Sequence, residues 1–350
     1  MAQDLKYLAA FSIPLTAFLG LYSGVGGYFL TPVYAFILVP LLERLLHVDA
    51  SNLDAEERQN KALNPLFNWL LYLNTPIVYG LVLYALHLLA THRPVGFDYL
   101  GLSLTVGIVL GTNGINVAHE LGHRREWYHR FMAKFLLLPC LYMHFYIEHN
   151  FGHHVHAATR EDPATARINQ SVYSFWLTSV IRQYFSAWQL QLQLLKLRDR
   201  PFLSVYNDML FYILIQAGYL SLVYFVSGPA GFLFVLGAAL AGILLLETVN
   251  YIEHYGLLRA KLPSGRYERV REMHSWNSNH IMGRIILYEL TRHSDHHYKS
   301  SKKYQLLDYH DRSPQLPFGY PTSMILALCP PFWFRLMNPR IPKPMREAGT

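Results

Sequence analysis

The sequence predicts an all-α integral membrane protein, with six transmembrane helices and a helical cytosolic cap holding a histidine-rich dimetal site. Three observations carry that expectation. Hydrophobic residues make up 52% of the 350 and charged residues only 15%, against roughly 25% charged in an ordinary soluble chain. The apolar residues are segregated into four long stretches free of Asp, Glu, Lys and Arg. Nine of the 18 histidines fall into four short motifs. Aromatics at 15% exclude a disordered, collagen-like or coiled-coil chain. Two cysteines, Cys140 and Cys329, exclude a disulfide framework, a four-cysteine zinc site and an iron–sulfur cluster.

The uncharged stretches are Tyr7 to Leu42, Ala62 to His92, Tyr99 to His119 and Met209 to Leu246. A span needs about 20 apolar residues at 1.5 Å rise per residue. The first and last stretches are long enough for two short spans each, with breaks at Ser23–Gly27 and at Ser227–Gly231. The middle two hold one each. The predicted spans are therefore 7–27, 29–46, 66–90, 98–119, 205–226 and 230–250, within one membrane-embedded catalytic domain over 1–350. The run after Lys6 looks like a signal peptide, but the apolar pattern resumes from Tyr28, so it reads as a retained span. With the N-terminus in the cytosol, 29 of the 30 Lys and Arg fall on the cytosolic side, Arg93 alone lying outside. The positive-inside rule then places both termini in the cytosol. That asymmetry accounts for the net charge of +7 without nucleic acid. It suits anionic lipid and an acidic partner. The cap comprises 120–204 and 251–350. Within it Phe131 to Phe145 is too short to cross and contains Lys134, so it is expected as a buried or interfacial helix.

The four motifs are His119-Glu120-Leu121-Gly122-His123, Glu148-His149-Asn150-Phe151-Gly152-His153-His154, Asn250-Tyr251-Ile252-Glu253-His254-Tyr255-Gly256, and Arg292-His293-Ser294-Asp295-His296-His297. Residues i and i+4 share a helix face, so His119 and His123 can hold one metal, and His293 has partners at i+3 and i+4. In the second motif His153 repeats the i+4 step from His149, while His154 is rotated about 100° further. That mismatch calls for a second metal or a helix broken at Gly152. Nine imidazoles exceed the needs of one ion; two metals with four or five ligands each is the simplest reading. The motifs follow cytosolic span ends, where helices can enclose an apolar tunnel.

The plainer readings are these. His47, His87, His92 and His310 read as hydrogen-bonded core or interfacial residues, while His129, His144, His156, His274 and His280 are open between that and a supporting role. His119-Glu120-x-x-His123 also matches a zinc protease, with Glu120 as general base, but leaves six clustered histidines unexplained. Glu120-x-x-His123 matches half a ferritin-like di-iron site, but the only other such step, Glu126-x-x-His129, follows too closely to come from a facing helix. A metal transporter would need ionisable residues within its spans.

With the motifs placed, the sequence resembles the integral-membrane alkane 1-monooxygenases (alkane ω-hydroxylases), of the histidine-rich di-iron superfamily that includes membrane fatty-acid desaturases and xylene monooxygenases. The similarity covers roughly 100–340. It extends to Asp162-Pro163-Ala164-Thr165, Asn250 through Arg259, and His274-Ser275-Trp276-Asn277-Ser278. The histidine spacings alone do not separate a hydroxylase from a xylene-type enzyme or a desaturase; the Asn250–Gly256 and Arg292–His297 stretches resemble the alkane hydroxylases specifically.

The resemblance implies O2-dependent terminal hydroxylation of n-alkanes to primary alcohols at two non-haem irons, in a bacterial inner membrane. By motif matching it implies as metal ligands His119, His123, His149, His153, His154, His254, His293, His296 and His297. It also implies electrons from a rubredoxin, itself reduced by an NADH-dependent reductase; the chain has no CxxC pair of its own, so that carrier would be a separate chain or a fused domain. Glu120, Glu148, Asp162, Glu253 and Asp295 are candidates to hydrogen-bond the outer ring nitrogens of the ligands. A narrow tunnel admitting a chain end-on would expose only its methyl group. Small span residues such as Ala35 and Gly111 are candidates to line it.

Overall fold

In the computed structural model, which describes residues 2–349, the chain is helical; among the described residues extended pairing is limited to isolated bridges such as Val48 with His280. Five helices are long and apolar enough to cross a membrane: Asp4–Ser23, Gly27–Leu45, Leu66–His92, Phe97–Gly122 and Asp208–His254. The first four match the expected spans to within a few residues. Gly24 and Gly26, both at positive φ (72° and 84°), make the break between the first two.

The fifth is where two spans were expected. It runs 47 residues without a loop, which straight would be about 70 Å against a hydrocarbon core of about 30 Å. It is not straight. Gly228 leaves helical geometry at φ 66°, ψ −169°, and Pro229 follows it. The Tyr224 and Phe232 rings lie 6.0 Å apart, although eight residues of straight helix rise about 12 Å.

The chain forms two compact units. One holds the residues up to Leu38 together with Pro65–Ile147 and Ala187–Leu246; the other holds Val39–Asn64, Glu148–Ser186 and the residues from Glu247 onward.

In the first unit, small residues let helices approach closely. A Cβ on Gly107 would lie 2.5 Å from Ala241 Cβ and one on Gly111 2.6 Å from Leu245 Cδ2. Near the other end, the Tyr99 hydroxyl donates to the Ala230 carbonyl at 2.9 Å. Successive turns of 97–122 thus meet 230, 241 and 245 in order, so the segment after Gly228 runs beside it. Gly111, expected as a tunnel position, is instead spent on helix–helix packing. Two polar groups in the apolar bundle find partners inside it, where no water would serve them: Asn113 Nδ2 donates to Asn74 Oδ1 at 2.8 Å and the Thr105 hydroxyl to the Tyr28 carbonyl at 2.6 Å. The helix expected over 131–145 is Trp127–Leu137. Turns follow, with Leu141 at φ 52°. Lys134, which interrupts its apolar face, reaches Asp208 at 2.6 Å.

In the second unit, the segment 39–64 is tied to the histidine-bearing chain near 284–308. Arg284 contacts the Asp49 carboxylate at 3.0 Å and Arg58 the Asp308 carboxylate at 2.6 Å. Helix Ala55–Leu63 opens with a capping box in which Asp54 and Glu57 satisfy each other's backbone amides. Tyr251 and Tyr255 pack on Trp333, with centroids 5.7 and 5.6 Å away. The chain leaves the long helix through Gly256 at φ 70°, where a Cβ would meet Ile341 at 2.3 Å.

Candidate metal centre

The second unit gathers His153, His254, His293 and His297, all buried, with ring nitrogens within 4.8 Å of one another. Each nearest pair meets through Nε2: His153 to His297 at 3.1 Å, His297 to His293 at 2.9 Å, and His254 to His293 at 3.1 Å. A second group in the same unit brings His154 Nε2 to 3.0 Å from His149 Nε2 and 3.2 Å from His296 Nε2. In the first unit, His119 and His123 stand at the end of helix 97–122 with ring centroids 5.0 Å apart.

These groupings divide two motifs differently from the simple spacing argument. His149 and His153 were expected on one face at i+4. The residues His149–His153 instead form a π-turn, in which hydrogen bonds run from i to i+5. In an α-helix His149 and His154 would stand about 140° apart; the widened turn puts them on one face and sends His153 to the other group. Gly152 is therefore not a helix break. Helix His293–Tyr298 likewise sends His293 and His297, at i+4, to one group and His296 to the other.

The donor sets fit a metal. Each Nε2 of a neutral ring is either one donor or one acceptor, so the three contacts along His153, His297, His293 and His254 can hold at most two ordinary hydrogen bonds. Around an ion with nitrogen ligands at about 2.1 Å, neighbouring nitrogens would be about 3.0 Å apart at right angles and about 3.4 Å apart in a tetrahedron. The observed separations of 2.9–3.2 Å lie in the range that donors sharing one ion require. Metal binding also needs neutral imidazoles. Burial, together with His293, His154, His153 and His254 around it, holds His297 well below the ordinary histidine range.

Of the five carboxylates expected to orient ligands, Asp162 reaches the outer ring nitrogen of a clustered histidine. Its Oδ2 lies 3.0 Å from His153 Nδ1; an ionised carboxylate only accepts, so that nitrogen carries the proton and Nε2 is free to bind. Burial would raise the Asp162 carboxyl, but His153, His254 and the Thr165 hydroxyl at 2.5 Å hold it below the usual range. The Ala164 amide donates to its other oxygen at 3.0 Å. The Asp162–Thr165 turn thus has a mechanical reason.

The other four carboxylates are placed differently. Glu120 pairs with Arg124, one turn on. Asp295 accepts from Lys302 at 2.5 Å and from the Asp308 amide at 2.8 Å, and faces His310 at 2.8 Å. Glu148 is buried with Ser186 donating to it at 3.4 Å; burial, with Asp162 and Glu247 adding negative charge, pushes it well above the carboxylate range. Glu253 approaches His293 from the Nε2 side, at 3.3 Å.

None of the remaining histidines joins a cluster among the described residues. His129 has both ring nitrogens engaged, by Tyr72 at 2.6 Å and Glu126 at 3.0 Å. His274 accepts from the Arg271 amide at 2.9 Å, His280 meets Ser278 at 2.9 Å and His156 is exposed. His144 is buried against Tyr142, and burial lowers its pKa to about 4. Tyr320, whose hydroxyl donates to Glu253 Oε1 at 2.8 Å, was missed; only its position in the fold marks it.

Known proteins narrow what these clusters mean. The family model described as fatty acid desaturase matches residues 98–324, the interval containing all nine clustered histidines. An alkane 1-monooxygenase of Alcanivorax borkumensis is 40% identical over 336 residues, covering 94% of this chain and 82% of that protein. One of Pseudomonas aeruginosa is 36% identical over 345 residues, covering 97% and 86%. The chain belongs to the alkane 1-monooxygenase family. The xylene/toluene monooxygenase hydroxylase component of Pseudomonas putida is more distant, 26% identical over 275 residues, covering 76% of this chain and 71% of that protein.

Proposed function

We propose that the protein hydroxylates the terminal carbon of n-alkanes, consuming O2, two electrons and two protons and releasing a primary alcohol and water, with iron held by nine histidines. His153, His254, His293 and His297 take one ion. His149, His154 and His296 belong to the other, and His119 and His123 are the further ligands that motif matching implies. The observation that carries this reading is the convergence of Nε2 atoms to 2.9–3.2 Å of one another in both groups of the second unit. Imidazole nitrogens suit iron, the metal that this O2 chemistry calls for. When bound, the two irons supply the O2 chemistry that puts one oxygen atom into a C–H bond.

The chain's own residues do the rest. Asp162 fixes the tautomer of His153, and burial keeps His297 neutral and ready to bind. The apolar spans supply a dry channel that admits the chain end-on, so that the stronger terminal C–H bond is the one presented. Gly228 lets the 47-residue helix cross the bacterial inner membrane twice, giving six spans and cytosolic termini. The positive charge faces the cytosol and docks an acidic rubredoxin, reduced in turn by its NADH-dependent reductase.

The test is elemental analysis of protein purified without chelator, followed by product analysis with n-alkanes, xylene and a fatty acyl substrate. Near two irons per chain and a primary alkanol are expected. One zinc without iron, or a benzylic alcohol or alkene as the sole product, would overturn the reading.

A further inference from the structure

We propose that the outer face of the helix Val172–Leu197 lies in the surface of the bilayer, and that the basic cavity beside it holds the phosphate of an anionic phospholipid. For a water-exposed helix this one is inside out. Tyr173, Leu177, Ile181 and Phe185, at steps of four, are 48%, 68%, 56% and 60% exposed. Each step turns the helix by about 400°, so the set drifts through only about 120° and forms one apolar stripe. The buried side carries polar groups instead: Ser179 Oγ donates to Glu247 Oε2 at 2.6 Å and Gln183 Nε2 to Glu247 Oε1 at 2.9 Å. Water disfavours a contiguous apolar face of this kind. The boundary between headgroups and acyl chains favours it.

The cavity supplies the charge. It encloses about 230 Å³, and its polar lining is Thr159, Thr165 and three arginines, Arg160, Arg167 and Arg182. Among the described residues no carboxylate lines it. Glu161, exposed in the same turn, accepts from the Tyr267 hydroxyl at 3.1 Å, and Asp162 is buried and engaged by Thr165 and His153. Arg182 comes from the helix itself, about 60° round from Phe185. Its guanidinium donates to the Arg160 carbonyl at 3.4 Å and the Glu161 carbonyl at 3.3 Å, which pins the cavity to the edge of the stripe. Another wall, Gly256 and Leu258, follows directly on the long apolar helix that ends at His254.

Guanidinium groups with hydroxyls between them match a phosphate, and the stripe alongside calls for acyl chains. An anionic phospholipid presents both together. A free phosphate offers only the first, and a zwitterionic headgroup brings an ammonium that the arginines repel.

The test uses the whole chain in vesicles of phosphatidylcholine and phosphatidylglycerol. On a Cys329→Ser background, which leaves the buried Cys140, nitroxides at Leu177→Cys and Phe185→Cys should relax faster with O2 than with a water-soluble nickel chelate. A nitroxide at Ser264→Cys, in an exposed turn, should do the reverse. Labels at 177 and 185 that respond like the one at 264 would overturn the proposal. So would spin–spin broadening lost on dilution with unlabelled protein, the mark of a second copy. The headgroup is read separately, by the anisotropy of fluorescent phosphatidylglycerol added to protein in neutral detergent. Arg160 and Arg167 are exposed, so their variants test charge rather than folding. Arg160→Gln and Arg167→Gln should each weaken binding about fivefold, the worth of one cation near an anionic surface, and phosphatidylcholine should not compete. Absence of saturable binding, unchanged affinity in both variants, or displacement by millimolar inorganic phosphate would overturn the lipid assignment. Neither readout needs turnover or depends on which metal is bound.

Discussion

At the residue scale, every histidine in the two clusters has a specific nitrogen to offer, and removal of one should be felt by one ion first. His297→Ala opens the group with His153, His254 and His293, and His149→Ala opens the other. Each variant should lose roughly one of two irons and all alkane turnover while still inserting into membranes; elemental analysis beside a membrane-fraction assay checks both. Full activity in either variant would break the assignment. Asp162→Ala should be milder, costing roughly 10–100-fold in metal affinity or activity, the usual effect of removing the partner of a ligating histidine. A second residue-scale prediction concerns pH. Partial burial works against the Asp49 charge, but Ser51, Arg284 and Arg292 outweigh it and bring the carboxyl from 3.8 down to about 2. A lowered folded-state pKa gives stability that is complete above the unfolded value near 3.8 and lost as pH falls toward 2. In metal-free protein in detergent, Asp49→Asn should therefore lower Tm by a constant amount above pH 4, and the gap should close near pH 2. A gap that stays open at pH 2 would show that the carboxylate charge is not what holds Arg284. The contact matters to the site because Arg292 stands immediately before His293 and is held by the Asp49 and Ser51 carbonyls at 3.3 and 2.7 Å.

At the scale of elements, the decisive feature is a turn that is one residue too wide. The π-turn at His149–His153 distributes three nearby histidines between two groups. Deleting Asn150 would restore an α-helical turn and rotate one set away, so the variant should retain less than half the iron of wild type; near-full iron content would show that the turn is incidental. Helix packing makes a parallel demand. Gly107→Leu would drive a side chain into Ala241 and the Ala238 carbonyl, which a Cβ alone already meets at 2.5 and 2.9 Å. Overpacking of that kind costs about 1–3 kcal/mol, visible as a lower Tm in detergent, whereas Gly80→Leu, with nothing within 4 Å of its Cβ, should be close to neutral. These elements also mark how much was legible in the sequence. Charge-free length and glycine breaks located four long apolar helices to within a few residues, because desolvating a charge in lipid is costly enough to dominate local preference. The break at Gly228 was readable for the same reason. The nine histidines stood out by clustering. Their division between ions did not, because a π-turn has no sequence signature and face arguments assume 3.6 residues per turn. Nor did the roles of the carboxylates: Glu120 and Asp295 sit in the motifs as plausibly as Asp162, and only their contacts with Arg124 and Lys302 separate them.

At the scale of the whole molecule, the distribution of charge is the property to test. The chain carries 30 Lys and Arg against 23 Asp and Glu, and all 30 lie outside the uncharged stretches, in the segments where the proposed electron donor would dock. Long-range attraction between such a surface and an acidic rubredoxin accelerates encounter and is screened by salt. The Debye length falls from about 30 Å at 0.01 M to about 8 Å at 0.15 M, so the apparent KM for rubredoxin should rise several-fold across that interval. The alkane arrives through the bilayer and carries no charge, so its KM should not move. Measuring both constants on one preparation in the same vesicles separates docking from damage: salt that disturbed the fold or the metals would change kcat and the alkane constant as well. A rubredoxin KM that ignores salt would mean that the partner recognises shape or apolar surface, and that the basic face serves anionic lipid alone.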